Sequence, residues 1–230
     1  MSQRGHGFGS EDQFLRYRMY RANHLDSALR GAIGLPDAKL NWIYPPDHIL
    51  TKAVREPEGM EFLEGDETTI AKWRGFWPQK GKQPTWDGVA IAVHAGASEW
   101  VLVEAKPNRP EFCSGPCGAV GGGRKKIERT MAEVKKHLEV HSRFPWLGTY
   151  YQYSNRLACL FFLTKVANIP ARLAFVYFYG ECFPDGTPCP NSEAEWREAI
   201  QACHLTLGLP ATHALSSWVH EVFLPALREG

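Results

Sequence analysis

At 230 residues, with 44% hydrophobic and 22% charged positions, the chain has the balance of a globular protein and the length for one sizeable core. A formal net charge of +1 argues neither for nor against a polyanionic partner, so any basic surface has to be local. No apolar run nears the roughly 18 residues of a membrane span, and the opening MSQRGHGFGSEDQ lacks the apolar centre of a signal peptide, so the expectation is a cytoplasmic protein with no membrane partner.

The six cysteines (113, 117, 159, 182, 189 and 203) show no CxxC spacing, and without a secretory signal they read as free thiols. Ser10-Glu11-Asp12 is a helix start, with Ser10 as N-cap, and the helix from about 11 to 32 turns Phe14, Tyr17, Leu25 and Leu29 inward and its arginines outward. Gly34-Leu35-Pro36 ends it. From 37 to 85 proline, glycine and tryptophan are dense and the pattern is unreadable, apart from short elements around Glu61–Leu63 and Thr69–Trp73. This division makes 1–59 an N-terminal helix with an irregular extension and 60–224 the core of a single domain.

Residues 87–94 and 99–106 read as two strands rich in valine, joined by Ala95-Gly96-Ala97-Ser98. Residues 107–123 read as a loop. An amphipathic helix follows over 124–141, with Ile127, Met131, Val134 and Leu138 on one face and Lys125, Arg129 and Lys136 on the other. The pattern continues as a helix over 146–165, a buried strand over Ala171–Tyr179, a helix from Ser192 to Leu207 stopped by Gly208, and a last strand over 217–224. That element order predicts an α/β or α+β protein with a mixed central β-sheet flanked by helices.

The chemistry concentrates in the hairpin. Asp87 opens the first strand; Glu104 and Lys106, two apart and so on one face, close the second. If the turn centres between Gly96 and Ala97, Asp87 falls opposite Lys106 and on the face of Glu104; a five-residue turn sends it to the other face. Two carboxylates beside one lysine suit a Mg²⁺ site with an adjacent charge-stabilising amine, which points to phosphodiester hydrolysis.

Asp87, then Glu104-Ala105-Lys106, on a hairpin between a leading helix and a following helix and strand, resembles the PD-(D/E)XK nuclease superfamily. WDGVAIA, WVLVEAKPNRPEF and YYQYSNRLA are similar to an uncharacterised bacterial group within it. The resemblance implies a restriction-endonuclease-like fold over about residues 60–224. It also implies a Mg²⁺ (or Mn²⁺) site made by Asp87, Glu104 and the Ala105 carbonyl, with Lys106 as the positioning or charge-stabilising amine. Trp86 stands where the superfamily has proline.

Gln152 is similar to the glutamine that some branches carry on the next helix, but the tyrosine expected four residues on is Arg156. A further acid on the leading helix is common in the superfamily; Glu61 and Glu64 both qualify by position, and the sequence does not choose between them. The implied activity is a metal-dependent nuclease acting on DNA. The alternative is an inactive nuclease-fold protein that binds nucleic acid or a protein partner, and dimers are common in the superfamily.

Weaker signals add little. Arg124, Lys125, Lys126, Arg129, Lys135 and Lys136 could meet phosphates, but the acids interleaved with them equally suit a solvated face, so Lys125, Arg129 and Lys136 are only weak nucleic-acid contacts. Gly121-Gly122-Gly123 lacks the GxxxxGK(S/T) pattern of a P-loop, HAGASE and PCGAV miss the zinc-deaminase spacing, and His220-Glu221 has no second histidine. A site of another kind within 37–85 is a further alternative.

Overall fold

The computed structural model describes residues 9–46, 55–181, 183 and 185–227. Its centre is a five-stranded sheet in sequence order, formed by β1 (Lys39–Tyr44), β2 (Gly88–His94), β3 (Ala97–Lys106), β4 (Ala171–Tyr179) and β5 (Val219–Pro225). The β1–β2 and β2–β3 pairs are antiparallel, whereas β3–β4 and β4–β5 are parallel. The helices are α1 (Ser10–Tyr20), α2 (Ala22–Ala32), α3 (Glu67–Phe76), α4 (Arg109–Cys113), α5 (Gly121–His137), α6 (Tyr151–Phe161) and α7 (Glu193–Leu207). The mixed α/β class expected from the element order is therefore the one observed.

Two apolar layers sandwich the sheet. On one side Phe14, Tyr17, Leu25 and Leu29 of α1 and α2 pack on Ala90, Val101, Val103 and Val176. On the other, Trp73, Met131, Leu157 and Trp196 from α3, α5, α6 and α7 pack on Val89, Leu102, Phe175 and Tyr177. Alternation along a strand explains the division. Val101, Val103 and Ala105 face α1 and α2, so Leu102, Glu104 and Lys106 face the larger layer. The β4 sequence ARLAFVYFY shows no polar alternation because both of its faces are covered.

Several boundaries differ from the sequence reading. The helix expected over 11–32 breaks at Arg21 (φ −140°), Gly9 rather than Ser10 occupies its N-cap, and Arg18 is buried under Trp42 instead of pointing outward. The strand β1 falls inside the segment that reads as irregular, so residues before 60 supply an edge of the sheet. The loop over 107–123 contains α4 and the start of α5, which ends at His137. The helix expected over 146–165 is α6 followed by a π-helical turn, Phe162–Val166.

The hairpin turn is shorter than expected. His94 pairs with Ala97 around Ala95-Gly96, both at positive φ (48° and 77°), the geometry of a two-residue turn. The pairing Gly88–Val103 then carries Asp87 to the level of Glu104, not Lys106. The shift is by two residues, an even number, so Asp87 stays on the face of Glu104.

Gly88, beside Asp87, sits where Phe14 of α1 and Trp42 of β1 close over the strand. A Cβ there would lie 2.8 Å from Phe14 and 2.9 Å from Trp42. Gly88→Ala is expected to lower stability by about 1–3 kcal/mol through overpacking, measured as a reduced urea midpoint at unchanged slope.

Candidate functional site

The hairpin enters the site through an anchored tryptophan. Trp86 is fully buried, its indole N–H donates to the Gly59 carbonyl at 2.8 Å, and its backbone N–H donates to Pro57. This fixes the chain just before Asp87, whose Oδ2 accepts the Ala105 backbone N–H at 2.8 Å. The carboxylate is thereby clamped to the neighbouring strand.

Across from it, Glu104 is 2% exposed and its two oxygens are held separately. Lys106 Nζ lies 2.7 Å from Oε1, and the Arg156 guanidinium reaches Oε2 at 2.6 Å through Nε and a terminal nitrogen. Lys106 Nζ also donates to Gln152 Oε1 at 2.8 Å. Arg156 further donates to the Thr85 carbonyl and to Asn155 Oδ1, and lies over the Trp86 ring at 4.9 Å. Gln152 and Arg156, four apart on α6, share one helix face and so reach the same strand end. The start of α6 is tied to α4, since the Gln152 backbone N–H donates to Ser114 Oγ.

These groups line one open cleft of about 480 Å³, together with Ser10, Glu56, Thr85, Pro110, Glu111 and Ser114. Asp87, Glu104, Lys106 and Gln152, widely separated in sequence, are thus brought together. Ala105 lies between two of them with its side chain buried in the α1 layer, leaving only its backbone to serve the site.

The electrostatics of the two acids diverge. Burial, and then the Glu104 charge beside it, push the Asp87 carboxyl well above the usual carboxylate range; Lys106 offsets this only in part. Burial acts in the same direction on Glu104, but Arg156 and Lys106 outweigh it and hold that carboxyl below its ordinary value. Glu56 is raised, by burial first and by Glu11 next.

Other expected residues lie elsewhere. Glu61 is on an exposed 3-10 turn, where its carboxylate accepts from Arg55 at 2.9 Å, and Glu64 is exposed; neither lines the cleft. The additional acids on the cleft wall are Glu56 and Glu111, and Glu11 of the leading helix α1 acts on Glu56. Lys125, Arg129 and Lys136 are exposed on α5 and do not line the cleft. Lys135 is buried and donates to the Ser142 and Phe144 carbonyls, so it is unavailable to a phosphate. Cys113, Cys117, Cys159, Cys189 and Cys203 are free thiols, and Cys182 lies outside the described residues.

Arg156 is the site residue that the sequence reading left without a role. Its signal was its place one helical turn after Gln152. Glu56 carried no comparable signal, because it reaches the cleft through an isolated Glu58–Thr85 bridge between irregular segments.

Two carboxylates and a backbone carbonyl are hard oxygen donors suited to Mg²⁺ or Mn²⁺, which keep several waters and need no closed cage. Among the described residues no three His, Cys, Asp or Glu side chains are arranged to enclose an ion. Asp87 is raised first by burial and then by the Glu104 charge, and a divalent cation would relieve the like-charge part, so the donor set fits an open site of that kind.

Comparison with protein-family models, with curated proteins and with solved structures finds no match to this chain. Among the described residues no helix is long and apolar enough to cross a membrane.

Opposite pH responses are expected from the two acids. Asp87, raised in the fold, costs stability once pH exceeds its unfolded value of about 3.9. In EDTA, Asp87→Asn should therefore raise the Tm at pH 7, with the gain shrinking to nothing as the pH falls toward 4. Glu104, lowered in the fold, stabilises above its unfolded value of about 4.3, and that contribution fades as acid protonates it. Glu104→Gln leaves Lys106 and Arg156 without their carboxylate and should cost about 3–5 kcal/mol at pH 7 in chemical denaturation.

Proposed function

We propose that this protein is a Mg²⁺- or Mn²⁺-dependent nuclease that hydrolyses phosphodiester bonds in DNA. The observation that carries the reading is the meeting of Asp87, Glu104, Lys106 and Gln152 in one open cleft. The same residues carry the resemblance to the PD-(D/E)XK superfamily, and a mixed sheet with the hairpin at its centre is consistent with it.

Asp87, Glu104 and the Ala105 carbonyl would hold the cation. When bound, a divalent cation supplies an acidified water and a Lewis acid for the phosphate. Asp87, which holds its proton more firmly than an ordinary aspartate, would release it on binding, so occupancy should strengthen as pH rises. Lys106 is fixed between Glu104 and Gln152 with its ammonium at the cleft, where it would face the charge that develops on the phosphoryl oxygens. Gln152 holds the lysine through its side-chain oxygen and leaves its amide N–H groups to orient a water or a phosphate oxygen. Arg156 fixes the rotamer of Glu104 and keeps it ionised.

One observation favours a second reading, a nuclease-like domain that binds without cutting. Both Glu104 oxygens are already engaged by cations of the protein itself. A buried triad of this kind can be purely structural.

The deciding experiment is a cleavage assay on single-stranded, duplex and branched DNA with Mg²⁺ or Mn²⁺, paired with calorimetric titration of the metal alone. Asp87→Ala should abolish both cutting and metal binding. Lys106→Ala should lower kcat by about 10²–10³-fold while metal binding persists, the scale of losing one preorganised charge-stabilising group. A folded wild-type protein that neither cuts nor binds metal would overturn the nuclease reading in favour of the non-cutting domain.

A further inference from the structure

Charge is segregated on this nearly neutral chain. Residues 72–83 and 118–129 together carry eight lysines and arginines against a single acid, Glu128, while the whole chain has 26 basic and 25 acidic residues. The rest of the molecule is therefore net acidic, and the cleft wall, with Glu56, Asp87, Glu104 and Glu111, is part of that remainder.

The two basic segments are far apart in sequence but adjoin in space. Lys126 Nζ of α5 donates to the Arg74 carbonyl in the last turn of α3 at 2.5 Å, and Thr130 Oγ1 donates to the Phe76 carbonyl at 2.7 Å. Between them, Gln83 Nε2 donates to the Pro78 carbonyl and closes a short loop that exposes Lys80 and Lys82. Lys125 and Arg129 are exposed on the same half of α5, and Arg124 is occupied by Glu128 at 2.8 Å.

Short stretches of chain join both basic segments to the cleft. Lys82 is three residues before Thr85, a cleft residue whose carbonyl holds Arg156, so their Cα atoms are at most about 11 Å apart. At the start of α5, Arg124 donates to the Cys117 carbonyl, three residues beyond the cleft residue Ser114.

We infer that Arg74, Lys80, Lys82, Lys125, Lys126 and Arg129 form the docking surface for the phosphodiester backbone of DNA, guiding the strand to the cleft. The inference deepens the nuclease reading and rests on it for the identity of the polyanion. A surface of positive charge beside an acidic cleft fits a ligand with a regular run of phosphates, about one per 3.4 Å of each strand. The contacts are to phosphate and position the ligand without reading its sequence.

The test is fluorescence anisotropy of the full chain with a labelled 30-base-pair DNA duplex in EDTA, titrated from 50 to 200 mM salt. Lys80→Gln, Lys82→Gln and Arg129→Gln are combined in one variant and checked for an unchanged Tm. The expected result is weaker binding, with the slope of log K against log salt smaller by about 2–3 in the variant. Lys39→Gln, on the edge strand β1, should leave both unchanged.

Native binding with the same slope in the triple variant would overturn the surface, as would native protein that fails to bind the duplex. Tighter binding of an RNA duplex or of anionic lipid vesicles than of DNA would also overturn it. The cleavage assay fails or succeeds separately. Loss of the slope without any cutting keeps the surface and removes the nuclease chemistry. Cutting with an unchanged KM in the triple variant does the reverse.

Discussion

The buried carboxylate of Glu104, held between Lys106 and Arg156, is the constraint on which the site depends. A carboxylate this enclosed is tolerated only if both oxygens find cations in good geometry. Lys106 is available because it lies two residues on along the same strand. Arg156 has to come from another element, which requires α6 to cross the end of β3 with its Gln152–Arg156 face toward the sheet. The aromatic layer around Tyr153, Phe175 and Trp196 sets that crossing, with Tyr153 stacked at 4.4 Å on Phe175, the β4 residue paired with Glu104.

Arg156 also reaches back to the Thr85 carbonyl and covers Trp86. A single guanidinium therefore joins the entry of β2, the end of β3 and the helix α6. This explains how a hairpin end, usually a frayed and solvated place, can hold two acids in a defined relation. Trp86 contributes in place of the proline expected there: its indole both fills the layer under Arg156 and fixes the strand entry through Gly59. The divergence of the two acids follows. Glu104 has cations on both oxygens and stays ionised, while Asp87 has a backbone N–H and a neighbouring negative charge.

Much of this was legible in the sequence where the pattern was local. The alternation in 99–106 put Glu104 and Lys106 on one face, and an even error in the turn left Asp87 with them. The 4, 3, 4 spacing in α5 and the unbroken apolar run of β4 identified those elements. What remained hidden depends on long-range contacts. Strand β1, KLNWIY, lies in a tract dense in proline, glycine and tryptophan, and only its pairing with β2 makes it a strand. Glu56 reaches the cleft through one isolated bridge. Arg18 reads as an outward arginine on a helix, yet it is buried against Trp42 of β1, a strand that was itself hidden in the sequence.

The arrangement of charge around the site separates binding from chemistry. The cleft wall carries four acids, Glu56, Asp87, Glu104 and Glu111, against two basic groups, Lys106 and Arg156, both paired with Glu104, so it offers a phosphate backbone little attraction unless a cation is added. Affinity for a polyanion must then come from elsewhere on the molecule. A marked excess of positive charge is divided between the α3 end with the loop after it and the start of α5, which the fold brings together through Lys126 and Thr130. Lys82 is joined to the cleft residue Thr85 by three residues of chain, a Cα separation of at most about 11 Å. In the proposed nuclease, the residues that would hold the strand and the residues that would cut it are thus distinct sets, the first basic and the second mixed in charge.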